Sequence, residues 1–222
     1  MQKASSIYLK KTGKSFVDEV FRFPLYILAK PFKGFSDIKY EKKGSLPACI
    51  LFMFIIMILS VMRQAYTGTI FMTREPRFMN IWSVMAGVLA QTLLVVVANW
   101  SVSVLTNGSG SMKEIFMVAM YAQYPYMWLS GLYILLSHVL SLDEIALLNF
   151  CLILGSICIV FYGFIGIVSV HGFGFFQGIA SILLTIVALL IVIFVLLLLV
   201  SMSSELLTFL STVIEEISLH YF

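Results

Sequence analysis

The 222-residue chain is 61% hydrophobic and only 11% charged, with a formal net charge of +3 at pH 7. Soluble domains need about a quarter of their residues charged to cover their surface, so this composition excludes a soluble protein and indicates an integral membrane protein. Ten of the 14 Lys and Arg residues precede residue 45, together with four Asp and Glu. The charge is therefore concentrated in a basic N-terminal tail, which is typical of a segment held beside anionic lipid.

The N-terminal tail contains one predicted amphipathic helix, from residue 15 to residue 28. Ser15 and Asp18 resemble the start of a capping box. Apolar residues at spacings of four, three and four form one face: Phe16, Val20, Phe23 and Ile27. Pro24 interrupts this helix or begins a second piece, and Pro31 with Gly34 ends it. We interpret it as a helix lying flat in the cytoplasmic interface with its aromatic face in lipid. Docking into a groove of the protein's own bundle, or of a partner, is the alternative.

The first apolar run, residues 46–62, fixes the predicted orientation. It carries no charge over 17 residues, which is about the minimum length of a helix that crosses a bilayer core. Lys39, Lys42 and Lys43 lie at its start and Lys33 shortly before them, and we assign all four to lipid headgroups. Because cytoplasmic loops carry the excess of Lys and Arg, the N-terminus is predicted to be cytoplasmic.

Four further apolar runs, with no charged residue in their interiors, predict four more spans, at residues 81–105, 114–138, 145–170 and 179–200. Two of them begin at capping boxes, Ser111 with Glu114 and Ser141 with Glu144. Five spans place the C-terminus outside.

The predicted fold is thus an all-α integral membrane protein with five transmembrane helices and an amphipathic interfacial helix at each end. Its parts are a cytoplasmic tail (1–45), a five-helix domain (46–200) and an outer amphipathic helix (201–222). We expect it to be a multi-pass protein of the plasma membrane.

The residue pattern argues against several kinds of activity. Proton- and ion-coupled carriers generally need an ionisable group within the membrane, and the interiors of the proposed spans have none. His138, His171 and His220 are far apart in the chain, and neither a His-Glu-x-x-His nor a Gly-x-Ser-x-Gly motif occurs. We therefore expect a protein that is not an enzyme and that binds no cofactor, metal or nucleic acid.

Some residues within the spans are candidates for contacts between helices. Asn99, beside Trp100, is an amide in hydrocarbon and should bond to a neighbouring helix, with a contact inside the fold favoured over a ligand or partner. Gly155 and Gly163 lie on one face of the fourth span and allow close backbone approach. Pro125, among the aromatics of the third span, predicts a kink with those aromatics as packing or interfacial groups.

Several short motifs follow one another in the chain: Pro31-Phe-x-Gly-Phe35, Asp37-Ile-Lys-Tyr-Glu-Lys-Lys-Gly-Ser45, Ala98-Asn-Trp100, Asn107-Gly-x-Gly-Ser111, Tyr121-Ala122 with Pro125, and His171-Gly. Their order, with five spans and a basic tail, resembles the Yip (Ypt-interacting protein) membrane family, in particular a clade from Gram-positive bacteria. The likeness covers roughly residues 20–205.

The resemblance implies a role through contact with other proteins. Eukaryotic members of the family are trafficking proteins that bind Rab-type GTPases, whereas members of the bacterial clade tend to be encoded beside permeases of carbohydrate ABC importers. It therefore implies a non-enzymatic accessory subunit that packs against those permeases. A stand-alone membrane organiser and an autonomous small-solute transporter are the alternatives. The predicted interface residues are Phe16, Val20, Phe23, Ile27, Pro31, Phe32, Gly34, Phe35, Asp37, Tyr40, Asn99, Trp100, Tyr121, Pro125 and His171.

Overall fold

The computed structural model describes residues 18–71 and 80–221, and these residues form helices joined by short connections. A π-helical turn at Asp18–Arg22 precedes the first α-helix. The α-helices are α1 (Phe23–Ala29), α2 (Pro31–Tyr40), α3 (Leu46–Ala65), α4 (Ile81–Leu105), α5 (Met112–Leu136), α6 (Ile145–His171) and α7 (Phe175–Tyr221).

Each of the five predicted spans coincides with one of the helices α3 to α7. Within the described residues, four helical segments are long and apolar enough to cross a membrane: Leu46–Ala65, Ile81–Leu105, Leu142–His171 and Phe175–Glu216. α5 has 25 residues and is not among these four. Both predicted capping boxes are present, at Ser111 with Glu114 and at Ser141 with Glu144.

The N-terminal segment contains two helices where the sequence predicted one. Pro24 lies in the first turn of α1, so it begins a second helical piece, which was one of its two predicted roles. α1 ends at Ala29, just before Pro31, as predicted, but Pro31 also begins a second helix, α2, that the sequence did not predict and that continues through Gly34. The reason is that proline lacks an N–H group, which the first turn of a helix does not need.

The apolar face of this segment packs on the bundle. Ile27, Phe35 and Ile38 are essentially fully buried, and α2 runs along α6. A Cβ atom at Gly34 would lie 2.8 Å from the Ile27 side chain, so only glycine lets α1 and α2 approach this closely. The prediction that this face lies in lipid is therefore wrong for Val20 and Ile27, which are buried. The alternative prediction, that the face docks into a groove of the protein's own bundle, is the one that fits. Phe16 lies outside the described residues.

The bundle is centred on α5, which packs against both α3 and α6. Close approach of α5 and α6 depends on two glycines of α6. A Cβ at Gly155 would lie 2.8 Å from Tyr126, and one at Gly166 would lie 2.4 Å from Val118. A Cβ at Gly163 would meet nothing within 4 Å, so the prediction that Gly163 shares the packed face of Gly155 was wrong. α4 contacts α3, α5 and α7, so α7 joins the bundle mainly through α4.

The last helix, α7, is continuous over 47 residues. The prediction of a separate helix beginning at residue 201 was therefore wrong. At a rise of about 1.5 Å per residue α7 is about 70 Å long, more than twice the thickness of a bilayer core of about 30 Å. All residues from 193 to 212 are exposed, so the second half of α7 stands apart from the bundle.

Candidate functional site

Polar side chains from five separate segments meet around His171, at the end of α6. The helix stops there because Gly172 takes a left-handed conformation with φ of 72°, which favours glycine. His171 is only 3% exposed, although its ring is polar. We call its surroundings the His171 cluster, which consists of Lys39, Asn99, Ser109, His171 and Thr185.

The hydrogen bonds of the cluster run in one direction. The backbone N–H of Gly110 donates to Nδ1 of His171 over 3.2 Å. Because Nδ1 accepts, the proton of the neutral ring lies on Nε2, which donates to Oδ1 of Asn99 over 3.0 Å. The amide of Asn99 then donates to Thr185 over 3.0 Å, and Thr185 donates to the carbonyl of Ser181 over 2.8 Å. This chain of bonds joins the 106–111 connection, α6, α4 and α7.

The N-terminal helices join the same cluster through Lys39 of α2. Its ammonium group donates to the hydroxyl of Ser109 and to the carbonyl of Val170. Ser109 in turn donates to the carbonyl of His171 over 3.0 Å. Lys39 therefore satisfies carbonyl groups at the end of α6, where a cation is also favoured by the helix dipole.

The connection between α4 and α5 fits closely over the imidazole. A Cβ at Gly108 would lie 2.5 Å from Nδ1 of His171, and one at Gly110 would lie 2.8 Å from its Cε1. Phe173 stacks on the imidazole, with ring centroids 4.9 Å apart and an interplanar angle of 14°. The Asn-Gly-Ser-Gly-Ser segment, residues 107–111, is thus packed on His171.

The arrangement suits a structural clamp rather than a reaction centre. Asn99 is fully buried and both ends of its amide are paired, so the cluster offers a substrate little unused bonding capacity. A protonated imidazole would turn Nδ1 into a donor facing the donor N–H of Gly110, so the neutral form is the one that fits. Among the described residues, no group of three or more His, Cys, Asp or Glu is placed to hold a metal ion.

Three members of the cluster were predicted site residues, Asn99 and His171 as interface residues and Lys39 as a lipid-headgroup residue, but the sequence did not place them together. The expected interhelical bond of Asn99 is present. Ser109 and Thr185 were missed, because short hydroxyl side chains in a loop and in an apolar helix carry no distinctive spacing. The one available signal was that Lys39, Asn99, Ser109 and His171 all lie within the motifs of the family resemblance.

Two of the four lysines assigned to lipid headgroups instead form contacts within the protein. Lys39 belongs to the His171 cluster. Lys43 pairs with Glu41 and, at 3.0 Å, with the buried carboxylate of Asp37. These hydrogen bonds, the one to Glu41 first, raise the pKa of the Lys43 ammonium above its usual value. Lys33 and Lys42 are exposed and remain available to lipid.

Several predicted interface residues are buried in the core. Tyr121 is 1% exposed, and its ring makes edge contacts with Phe23 and Phe52 at centroid distances of 5.2 and 6.0 Å. Its hydroxyl accepts the backbone N–H of Ser45. Asp37 is likewise buried and accepts a hydrogen bond from Tyr26. Burial in the isolated chain shows that these side chains hold its own helices together. Val20, Ile27, Gly34 and Phe35 are buried too.

Other predicted interface residues are accessible. Phe32, Tyr40 and Trp100 are exposed. Trp100 points away from the cluster that its neighbour Asn99 joins. Pro31 is half-buried, as is Pro125, which lies within the uninterrupted helix α5.

Comparison with known families gives one match. The family model described as the Yip1 domain matches residues 25–199, which is well over half of the chain. No curated protein and no solved structure matches. The matched range contains the whole His171 cluster and ends within α7. The chain therefore belongs to the Yip1 domain family of membrane proteins.

Proposed function

We propose that this protein is a non-enzymatic accessory subunit that packs against the permease subunits of a bacterial carbohydrate ABC importer and stabilises or regulates them. The permease partner rests on the family resemblance described above. One observation carries the contact role: the buried side chains of Asn99, His171 and Thr185 bond to one another in the His171 cluster, while the outside of the bundle is apolar. Such a molecule acts through its surface.

The contact face that we propose is the outward side of α6. Residues at spacings of three and four share this face: Ile153, Ser156, Val160 and Gly163. Val160 is 73% exposed, and a Cβ at Gly163 would meet nothing within 4 Å. A glycine without an internal neighbour leaves room for a helix of another subunit, because small residues let backbones approach closely in membranes.

We also propose that α5 crosses the membrane, so that the protein has five spans, a cytoplasmic N-terminus and an external C-terminus. The ends of α5 support this. Its first turn follows the connection that covers His171, whereas Ser137, just after its last turn, accepts a hydrogen bond from Gly68 at the far end of α3. α5 thus extends between the same two ends of the bundle as the helices beside it.

The proposed complex can be tested by purifying the tagged protein from its own host in mild detergent. We expect permease and ATPase subunits to co-purify with the wild-type protein. Gly163→Leu should reduce their yield about tenfold or more, because the added side chain occupies the space of the partner helix. Gly87→Leu, on the open side of α4, is the matched control and should leave the yield unchanged. Importer subunits that are absent from the wild-type preparation, although they stay assembled with one another, would contradict the proposal.

A second candidate function is that of a stand-alone membrane organiser. It is favoured by the outer face of the π-helical turn, α1 and α2, where Phe21, Leu25 and Phe32 are exposed, as is Lys33. Aromatic and basic side chains together are typical of surfaces that bind anionic lipid. The same purification distinguishes the two functions, since an organiser would be recovered with lipid and other copies of itself.

A further inference from the structure

The second half of α7 leaves the membrane with an uncovered apolar surface. Residues 179–200 suffice to cross a bilayer core of about 30 Å. The remaining residues to Tyr221 continue as the same helix for about another 30 Å. Lipid cannot cover this part, because a helix that continues straight from its span does not lie in the plane of the interface. The family match ends at residue 199, so this extension lies outside the Yip1 domain.

The extension carries a regular stripe that continues the bundle-facing side of α7. In the first half of the helix, residues at alternating spacings of three and four face the bundle: Gly178, Ser181, Thr185, Ala188 and Val192. The same spacing continues through Val195 into the outer seam, which we define as Leu199, Met202, Leu206, Phe209 and Val213. Leu206 and Phe209 are 60% and 65% exposed. Apolar residues repeating every 3.5 positions are the pattern of a two-helix seam.

We infer that the outer seam pairs with the outer seam of a second copy of this chain as a parallel two-stranded coiled coil. All copies insert into the membrane with the same orientation, so their α7 extensions are necessarily parallel and side by side. A symmetric dimer of this kind covers the same surface on both copies. Because residues 193–212 are exposed, the second copy can pair with them without any movement of the described bundle.

The charges of the extension are compatible with this pairing. Described residues beyond 200 include three acidic groups, Glu205, Glu215 and Glu216, and no Lys or Arg. If Leu206 occupies position a of the heptad, Glu205 occupies position g and Leu210 position e. In a parallel pair, Glu205 therefore faces Leu210 of the second copy, and no like charges meet there. Glu215 points outward, and Glu216 would occupy a core position, which ends the seam after Val213.

Cysteine cross-linking in native membranes tests the pairing directly. A disulfide needs Cβ atoms within about 4.5 Å, which only core positions of a parallel pair achieve, so Leu206→Cys should give roughly ten times more covalent dimer than Ser211→Cys. The parent chain, with its three native cysteines, gives the background. Equal cross-linking at the two positions, or cross-linking of Leu206→Cys to a different protein, would overturn the inference.

A second measurement keeps the test independent of cysteine chemistry and of the permease partner. The double variant Leu206→Glu with Phe209→Glu places repelling charges in the seam, and we expect the mass of the purified protein in detergent to fall from dimer to monomer. Thr208→Glu with Ser211→Glu adds the same charge on the opposite side and should stay dimeric. A wild-type monomer, or a seam variant that remains dimeric, would overturn the pairing.

Discussion

Replacing Asn99 with alanine is expected to destabilise the protein by about 1 to 3 kcal/mol, the cost of leaving buried polar groups without partners. The amide of Asn99 is fully buried, and it pairs with both Nε2 of His171 and the hydroxyl of Thr185. Its loss leaves the buried imidazole N–H without an acceptor. The free energy of unfolding, measured by denaturant titration in mild detergent, provides the test.

Two comparison variants separate this effect from a general sensitivity of α4. Gln91→Ala removes an exposed amide from the same helix, and its effect should stay within about 0.5 kcal/mol. Thr185→Val keeps the shape of the side chain but removes the hydroxyl that accepts from Asn99, so it should account for part of the loss. In the double variant Asn99→Ala with Thr185→Val, the loss in the free energy of unfolding should be smaller than the sum of the two single losses. Equal destabilisation by Asn99→Ala and Gln91→Ala would show that the cluster does not hold the helices together.

Replacing Gly166 with leucine is expected to destabilise the bundle by about 1 to 3 kcal/mol or more, as over-packing of cores does. A Cβ at this position would lie 2.4 Å from Val118 on α5 and 3.1 Å from the ring of Phe35 on α2. Both neighbours are buried, so neither can move into solvent. The added side chain must therefore push α6 away from α5 and α2 together.

Gly163→Leu is the matched control, because it makes the same change one turn earlier on α6 where a Cβ meets nothing within 4 Å. In the purified protein we expect Gly163→Leu to leave the midpoint of thermal unfolding nearly unchanged and Gly166→Leu to lower it clearly. Limited proteolysis should also cut α2 faster in Gly166→Leu, since Phe35 of α2 loses its packing contact with α6. Similar midpoints for the two variants would contradict the packing described for Gly166.

Hydrophobic patterning predicted the positions of the long helices well. The uncharged runs at residues 81–105 and 145–170 differ from α4 and α6 by at most one residue, because charged or turn-forming residues bound them on both sides. The end of the last helix was predicted poorly, since α7 continues through the position where a separate helix was expected to begin. Composition changes at Ser201, but neither glycine nor proline occurs from residue 179 to residue 221, so nothing in that stretch stops a helix.

Contacts distant in sequence could not be predicted in the same way. The excess of basic residues predicts that both Lys39 and Lys42 lie on the cytoplasmic side. The same rule does not distinguish Lys42, which is exposed, from Lys39, which bonds to the end of α6. The packing of α2 along α6 determines which of these lysines forms a hydrogen bond to the end of α6. For the same reason an amide in hydrocarbon predicted a partner for Asn99 without identifying Thr185.

In the topology that we propose, five spans separate a cytoplasmic basic tail from the α7 extension on the other side of the membrane. A reporter enzyme that is active only outside the cytoplasm, fused after Phe222, tests this most directly. Five crossings predict full activity of that fusion, and no signal from a fluorescent protein that folds only in the cytoplasm at the same position. The opposite result would mean an even number of crossings, with α5 not among them, and would contradict the account.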